Sequence, residues 1–214
     1  MSKFMSMIVA FYRIKSYFRF RTKLFLKSLA FFGKLLYNIQ RSQKISIKKG
    51  AEEIKSCTFF GIDINDFSFG LDYTSPSCIK LKMQLTQLIN QLYIDGVKRF
   101  FSTCEQGVEL WAAEIITARM IIDSEIELDC LLSSEEQPIK WCLDNQEQYF
   151  KVIEECSKVR YLSKHPIENG LDISRKKLID MSSNVVAVVP RNKTFPVLEY
   201  AKAKNREITY LYVD

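Results

Sequence analysis

The chain of 214 residues has one histidine, His165. Every mechanism built on a Ser-His-Asp triad, a Cys-His pair or a histidine-bound metal rests on that residue or fails. It stands in a loop beside Pro166 and reads as a surface residue. The six cysteines (57, 78, 104, 130, 142 and 156) form no C-x-x-C pair and no dense His/Cys cluster, which argues against a zinc site. Several lie inside apolar runs, as Cys130 does in IELDCLL, and read as buried free thiols of a reducing compartment, so the expected location is cytoplasmic. Seven glycines and five prolines are too few for a disordered or low-complexity chain. No cofactor-binding signature stands out, and no internal repeat is present.

Acidic residues are missing from the first fifty positions, which carry twelve Lys or Arg. The remainder holds nineteen basic and twenty-five acidic residues, so a basic segment and an acidic globular part join near Gly50. The overall charge of +6 therefore belongs to the N-terminal segment. Lys15, Arg19, Lys23 and Lys27 recur every four residues and draw a basic stripe along an expected helix whose other side is aromatic and aliphatic. Charges interrupt it too often for a membrane span, and the uncharged run Phe4 to Tyr12 is too short and too soon broken for a clear signal peptide. Docking on an anionic membrane surface or on a protein partner is one reading, which would place the protein peripherally at the inner membrane face. Packing on its own domain, or a start assigned too far upstream, is the other. Nucleic acid is the least favoured partner, and assembly into a homo-oligomer stays open.

From residue 51 onward short apolar runs alternate with helical periodicity. Strands are expected at Ser56–Ile62, Lys98–Ser102, Ile126–Leu132, Lys158–Leu162, Val185–Val189 and Ile208–Val213. Helices are expected at Cys78–Asp95, Gly107–Asp123, Ile139–Glu155, Ile173–Ser182 and Val197–Lys204. This alternation predicts an α/β fold, a Rossmann-like three-layer sandwich with a mainly parallel sheet, over residues 51–214, preceded by the basic helical extension 1–50. A ligand is expected at the C-terminal strand ends, where four turns fall: Gly61–Asp66, Thr103–Gly107, Ser133–Gln137 and Pro190–Thr194.

The segment Ser102-Thr103-Cys104-Glu105-Gln106-Gly107-Val108-Glu109-Leu110-Trp111-Ala112-Ala113-Glu114 runs from a strand through a turn into a helix. It resembles the Ser-Gly-x-x-x-Gly-Val-Asp-x-Trp-Ala-Ala-Glu segment of the YpsA-like proteins in the SLOG superfamily. Phe69-Gly70, Glu135 with Gln137, Trp141, Tyr149, Asp180 and Tyr200-Ala201-Lys202 extend the resemblance over about three quarters of the chain. It implies a Rossmann-like domain that binds a nucleotide-derived small molecule. Departures fall at the turns. A Thr-Gly-His-Arg of the family is Phe60-Gly61-Ile62-Asp63 here, the glycine after Ser102 is Thr103, its Arg-Asn is Ser174-Arg175, and its Gly-Gly-Thr is Asn192-Lys193-Thr194. Side chains obstruct the backbone approach that a phosphate needs, and Asp63 and Glu105 would repel it.

The ligand-contacting residues expected on this basis are Gly61, Ser102, Gly107, Glu109, Glu135, Arg175, Lys193 and Thr194. Arg175, Lys193 and Arg191 are the side chains that could restore positive charge. Glu109 reads either as a contact to a ribose hydroxyl or as a solvated or capping carboxylate, and Trp111 reads as core. No catalytic residue and no metal ligand is assigned. The functional expectation is a divergent, non-catalytic ligand sensor or interaction module with a weakened or altered phosphate site. The alternatives are an enzyme hydrolysing or transferring on a nucleotide, and a scaffold tethered at a membrane surface.

Overall fold

A computed structural model describes residues 55–213. The expectations for residues 1–50 lie outside the described residues. Six strands form one sheet: β1 (Ser56–Gly61), β2 (Arg99–Ser102), β3 (Glu127–Leu132), β4 (Lys158–Tyr161), β5 (Asn184–Pro190) and β6 (Glu207–Val213). Their spatial order is β4-β3-β2-β1-β5-β6, and every pairing is parallel. Five helices connect them: α1 (Pro76–Ile94), α2 (Val108–Met120), α3 (Leu143–Glu155), α4 (Gly170–Met181) and α5 (Pro196–Ala203). The expected α/β sandwich is present, and its sheet is parallel throughout.

The central strands are short, nearly continuous apolar runs because both faces are covered. In β5 the five residues Val185 to Val189 are all buried. Right-handed crossovers place α1, α2 and α3 on one face and α4 and α5 on the other, consistent with the packing of α2 against both α1 and α3 and of α4 against α5. As the middle helix of its layer, α2 is apolar on almost every side, with Val108, Leu110, Trp111, Ala112, Ala113 and Ile116 buried. Its two fully buried alanines, Ala112 and Ala113, keep it close to its neighbours.

Helix α1 shows how local sequence sets an element's ends. Pro76 occupies the first turn, where its missing N–H costs nothing. Cys78, Leu81, Leu85, Ile89 and Leu92 form one buried stripe, and full burial of each leucine or isoleucine contributes about 1.5–3 kcal/mol. The helix stops where Gly96 takes a φ of +94°. The Gly96 and Val97 N–H groups then donate to the carbonyls of Tyr93 and Leu92, a Schellman closure. Asn205, at φ +54°, closes α5 in the same way.

Sequence periodicity misplaces three helix boundaries by three or four residues: the helix expected to reach Asp123 ends at Met120, and the helix expected from Ile173 begins at Gly170. The helix expected from Ile139 begins at Leu143, because residues 138–141 form a turn. The Gln146 amide donates to the carbonyls of Pro138, Ile139 and Trp141 and holds that turn against the helix start.

From β1 the chain builds outward through β2, β3 and β4, then returns to β5 on the other flank of β1. The reversal lies between β1 and β5, and in open α/β sheets ligands bind outside the strand carboxyl ends at such a point. The turns Gly61–Asp66 and Pro190–Thr194 flank it. Among the described residues, no helix is long and apolar enough to cross a membrane.

Candidate functional site

Gly61 ends β1. A Cβ there would lie 2.5 Å from Val108 Cβ, so the glycine serves the close approach of the α2 N-terminus to the strand. Val108 and Glu109 follow Gly107, whose φ of +100° suits only glycine and which offers no side chain to cap the helix. The turn before it is held from below. Ser102 is fully buried; its hydroxyl accepts from the Cys104 N–H at 2.9 Å and donates to the Glu109 carbonyl at 2.9 Å. Ser102 therefore pins the turn from beneath rather than facing solvent. Cys104 sits at φ +51°, a left-handed conformation that a non-glycine residue adopts at a cost.

Glu109 is the centre of the arrangement. It is fully buried, and its Oε1 accepts from Arg175 Nη2 at 2.6 Å and Nε at 2.9 Å. Arg175 reaches across from α4, its guanidinium carbon 4.7 Å from the centre of the Phe60 ring, and Nη2 also donates to the Gly61 carbonyl at 3.4 Å. One arginine thus ties the end of β1 to the start of α2, with Asp172 a further 3.9 Å neighbour. Glu109 Oε2 has no hydrogen-bond partner. Burial pushes the Glu109 carboxyl up, against the opposing pull of the guanidinium. Glu105, at the rim of the same turn, is raised to about 7 by burial and by the neighbouring Glu109.

Across the strand-order reversal, Lys193 lies 3.4 Å from Asp66, both side chains more than half exposed. Thr194 is exposed just before α5, and Arg191 stacks 4.6 Å from the Tyr212 ring centre. The three basic side chains expected to supply positive charge therefore each have a partner: a buried carboxylate, an exposed carboxylate and an aromatic face. Glu135 is exposed on the β3 turn and joins neither cluster. The residues brought together are Gly61, Ser102, Gly107, Glu109 and Arg175; Lys193 and Thr194 belong to the second corner.

Two residues absent from the expected set shape the site. Gln137 accepts from the Ser133 N–H at 2.9 Å and donates to the Thr103 carbonyl at 3.1 Å, bridging the turns after β2 and β3. Asp63 accepts from the Asn65 N–H at 2.9 Å and organises the turn after β1. Its Asp-x-Asn spacing is the sequence signal for such a turn; Gln137 left no signal beyond its place in the resemblance. His165 Nδ1 lies 2.7 Å from Glu136 Oε1, but no nucleophile's hydrogen bond reaches the ring among the described residues. Trp111 is core as expected, packed with Phe67, Phe69 and Tyr73. A groove of about 680 Å³ lies elsewhere, between β4 and α4, lined by Leu131, Tyr161, Lys177 and Met181 among others. None of the expected site residues lines it, so the strand-end chemistry and the groove are separate features.

A Rossmann-like sheet with a glycine-started helix at its carboxyl edge defines a nucleotide-binding-type domain. A profile of the YpsA family, the YspA SLOG family, matches residues 67–212, and the chain belongs to that family. It is similar to a UPF0398 protein of Halalkalibacterium halodurans, 27% identical over 135 residues that cover 61% of this chain and 71% of the relative. UPF0398 proteins of Bacillus thuringiensis (strain Al Hakam) and Bacillus cereus (strain Q1) are each 27% identical over 149 residues, covering 66% of this chain and 79% of the relative.

Proposed function

We propose that this chain is a non-catalytic ligand sensor or interaction module whose nucleotide-type pocket has lost its preference for phosphate. The observation that carries the reading is the Glu109–Arg175 pair: among the described residues, the cation that contacts the α2 N-terminus is already neutralised at 2.6 Å. Asp63 adds negative charge at the same edge and Glu105 adds more as it ionises around pH 7, so a phosphate would meet repulsion in a partly desolvated site. An uncharged part of a nucleotide-derived molecule, a sugar or a base, suits this edge better than its phosphate.

Calorimetric titration with matched nucleoside and mononucleotide pairs tests the reading. The expected result is binding of a nucleoside no weaker than that of its 5′-phosphate. Micromolar binding of the mononucleotide with the nucleoside silent would sink it.

A second reading is supported by one feature. A carboxyl raised to about 7 next to a second carboxylate is suited to proton transfer at neutral pH, as N-glycosidic or phosphoribosyl hydrolysis requires. Here Glu105 is the acid–base group. Incubation with a panel of nucleotides, followed by chromatography for released base, distinguishes it. Turnover that disappears in Glu105→Gln while folding is intact would establish the enzyme and displace the sensor.

A further inference from the structure

The groove between β4 and α4 has a chemistry opposite to that of the strand ends. Helix α4 rests on β1 and β3, and beyond it the sheet surface opens into the concavity of about 680 Å³. Leu131 packs with Leu178 of α4 and so marks the face that this helix covers. Arg160 stands beside Leu131 in the β3–β4 register, on the same face. Lys177 and Met181, one helical turn apart on α4, form the opposite wall. Leu131, Leu162 and Met181 give the groove an apolar lining. A concavity of this size, apolar with a few convergent polar groups, has the make-up of a small-molecule site.

At the strand ends Arg175 and Lys193 are each matched by a carboxylate. In the groove, among the described residues, neither cation is. Arg160 Nε is buried without a hydrogen-bond partner, and its Nη2 donates to the Met181 sulfur at 3.8 Å, a weak acceptor. Lys177 is exposed and joins no ion pair among the described residues. Asp180 also lines the groove, but both its oxygens accept from the Tyr200 hydroxyl at 2.9 Å, and Oδ1 lies 3.3 Å from Lys204 Nζ. Positive charge is therefore left over beside an apolar surface.

We propose that this groove binds a small amphipathic monocarboxylate, its apolar body on Leu131, Leu162 and Met181 and its carboxylate between Arg160 and Lys177. A guanidinium presents a planar fork that suits two oxygens at once, and the lysine adds a point charge from the facing wall. An uncharged apolar molecule would strip water from both cations and replace it with nothing. A doubly charged phosphate gains from the same cations but meets more repulsion from Asp180 than a single carboxylate does. A two-fold pairing of the groove with its copy would oppose like charges, so a second chain is a poor occupant. None of this depends on what the strand-end pocket binds.

Amide NMR titration of the full-length protein tests it, with decanoate, decanamide and decyl phosphate as probes below their micellar concentrations. Decanoate is expected to shift the amides of residues 159–162 and 177–181 saturably. It should bind at least about tenfold more tightly than decanamide, and no more weakly than decyl phosphate. Arg160→Met, which keeps an apolar stem, and Lys177→Glu, on an exposed position, should each weaken decanoate binding by about tenfold or more. No saturable shift, or shifts confined to residues 1–50 or to the strand-end turns, overturns the site. Equal affinity for decanamide, or undiminished decanoate binding in Lys177→Glu, overturns the role of the cations. Tighter binding of decyl phosphate overturns the choice of a carboxylate.

Discussion

Two ion pairs flank the reversal in strand order, and they teach opposite lessons. On the β1–α2–α4 side, Glu109 and Arg175 meet at 2.6 Å with side-chain exposures of 1% and 13%. On the β5–α5 side, Asp66 and Lys193 meet at 3.4 Å with exposures of 53% and 56%. Both remove one positive charge from the edge where a phosphate would sit. The buried pair is a structural bolt, because neither partner can be satisfied by water once the other is gone. The exposed pair is a loose association that water and salt can replace.

Breaking the buried pair should have the largest effect. Arg175→Met strands Glu109 in the core and should cost about 3–5 kcal/mol in chemical denaturation. The double change with Glu109→Leu should recover most of that loss, since two apolar side chains replace two mutually dependent charges. A single variant as stable as the natural protein would show that the two corners do not differ in kind.

Gly61→Ala should follow. Its Cβ would stand 2.5 Å from Val108 Cβ, and relief requires α2 to move away from β1. Overpacking of this sort costs about 1–3 kcal/mol, read as a lowered denaturation midpoint, and should loosen the Glu109–Arg175 contact as well.

Glu105 gives a pH-dependent test. Its folded carboxyl titrates near 7, above the ordinary value of 4.5. Below pH 4.5 both folded and unfolded forms are protonated and the group is neutral in effect. Between 4.5 and 7 the unfolded chain releases its proton first, so stability falls as pH rises, and above 7 the full cost is present. Glu105→Gln should therefore stabilise the protein by on the order of 1–3 kcal/mol at pH 8 and by little at pH 4. Thermal melts at the two pH values check both sign and window.

The smallest effect belongs to the exposed corner. Lys193→Met should change stability by less than about 1 kcal/mol, and added salt should erase even that. A loss comparable with that of Arg175→Met would mean that burial does not distinguish the two pairs.

Much of the framework was legible from pattern alone. Runs such as NVVAVV have the length and branching of a doubly covered strand, and the spacing of Cys78, Leu81, Leu85, Ile89 and Leu92 admits a helix with one apolar face. The late start of α3 was not legible, because Trp141 and Ile139 look apolar and helical until the Gln146 amide is seen holding the turn. At the site, Gly107 was readable as a helix-starting glycine, whereas the reason for Gly61 was not. That reason is the distance to Val108, forty-seven residues on.

Ser102 and Glu109 show the same boundary. Their residue types suit ligand contact, and in the fold both are buried and engaged: Ser102 within its own turn, Glu109 with an arginine sixty-six residues away. Sequence by itself determined the alternation of strand and helix, the parallel sheet that follows from it, and the four turns where chemistry could gather, because those depend on local periodicity and chain connectivity. Only tertiary structure decided which charges at those turns are available. Pairing and desolvation act over a few ångströms between residues that the chain keeps far apart, and they turned Arg175 from a candidate phosphate ligand into the partner of Glu109.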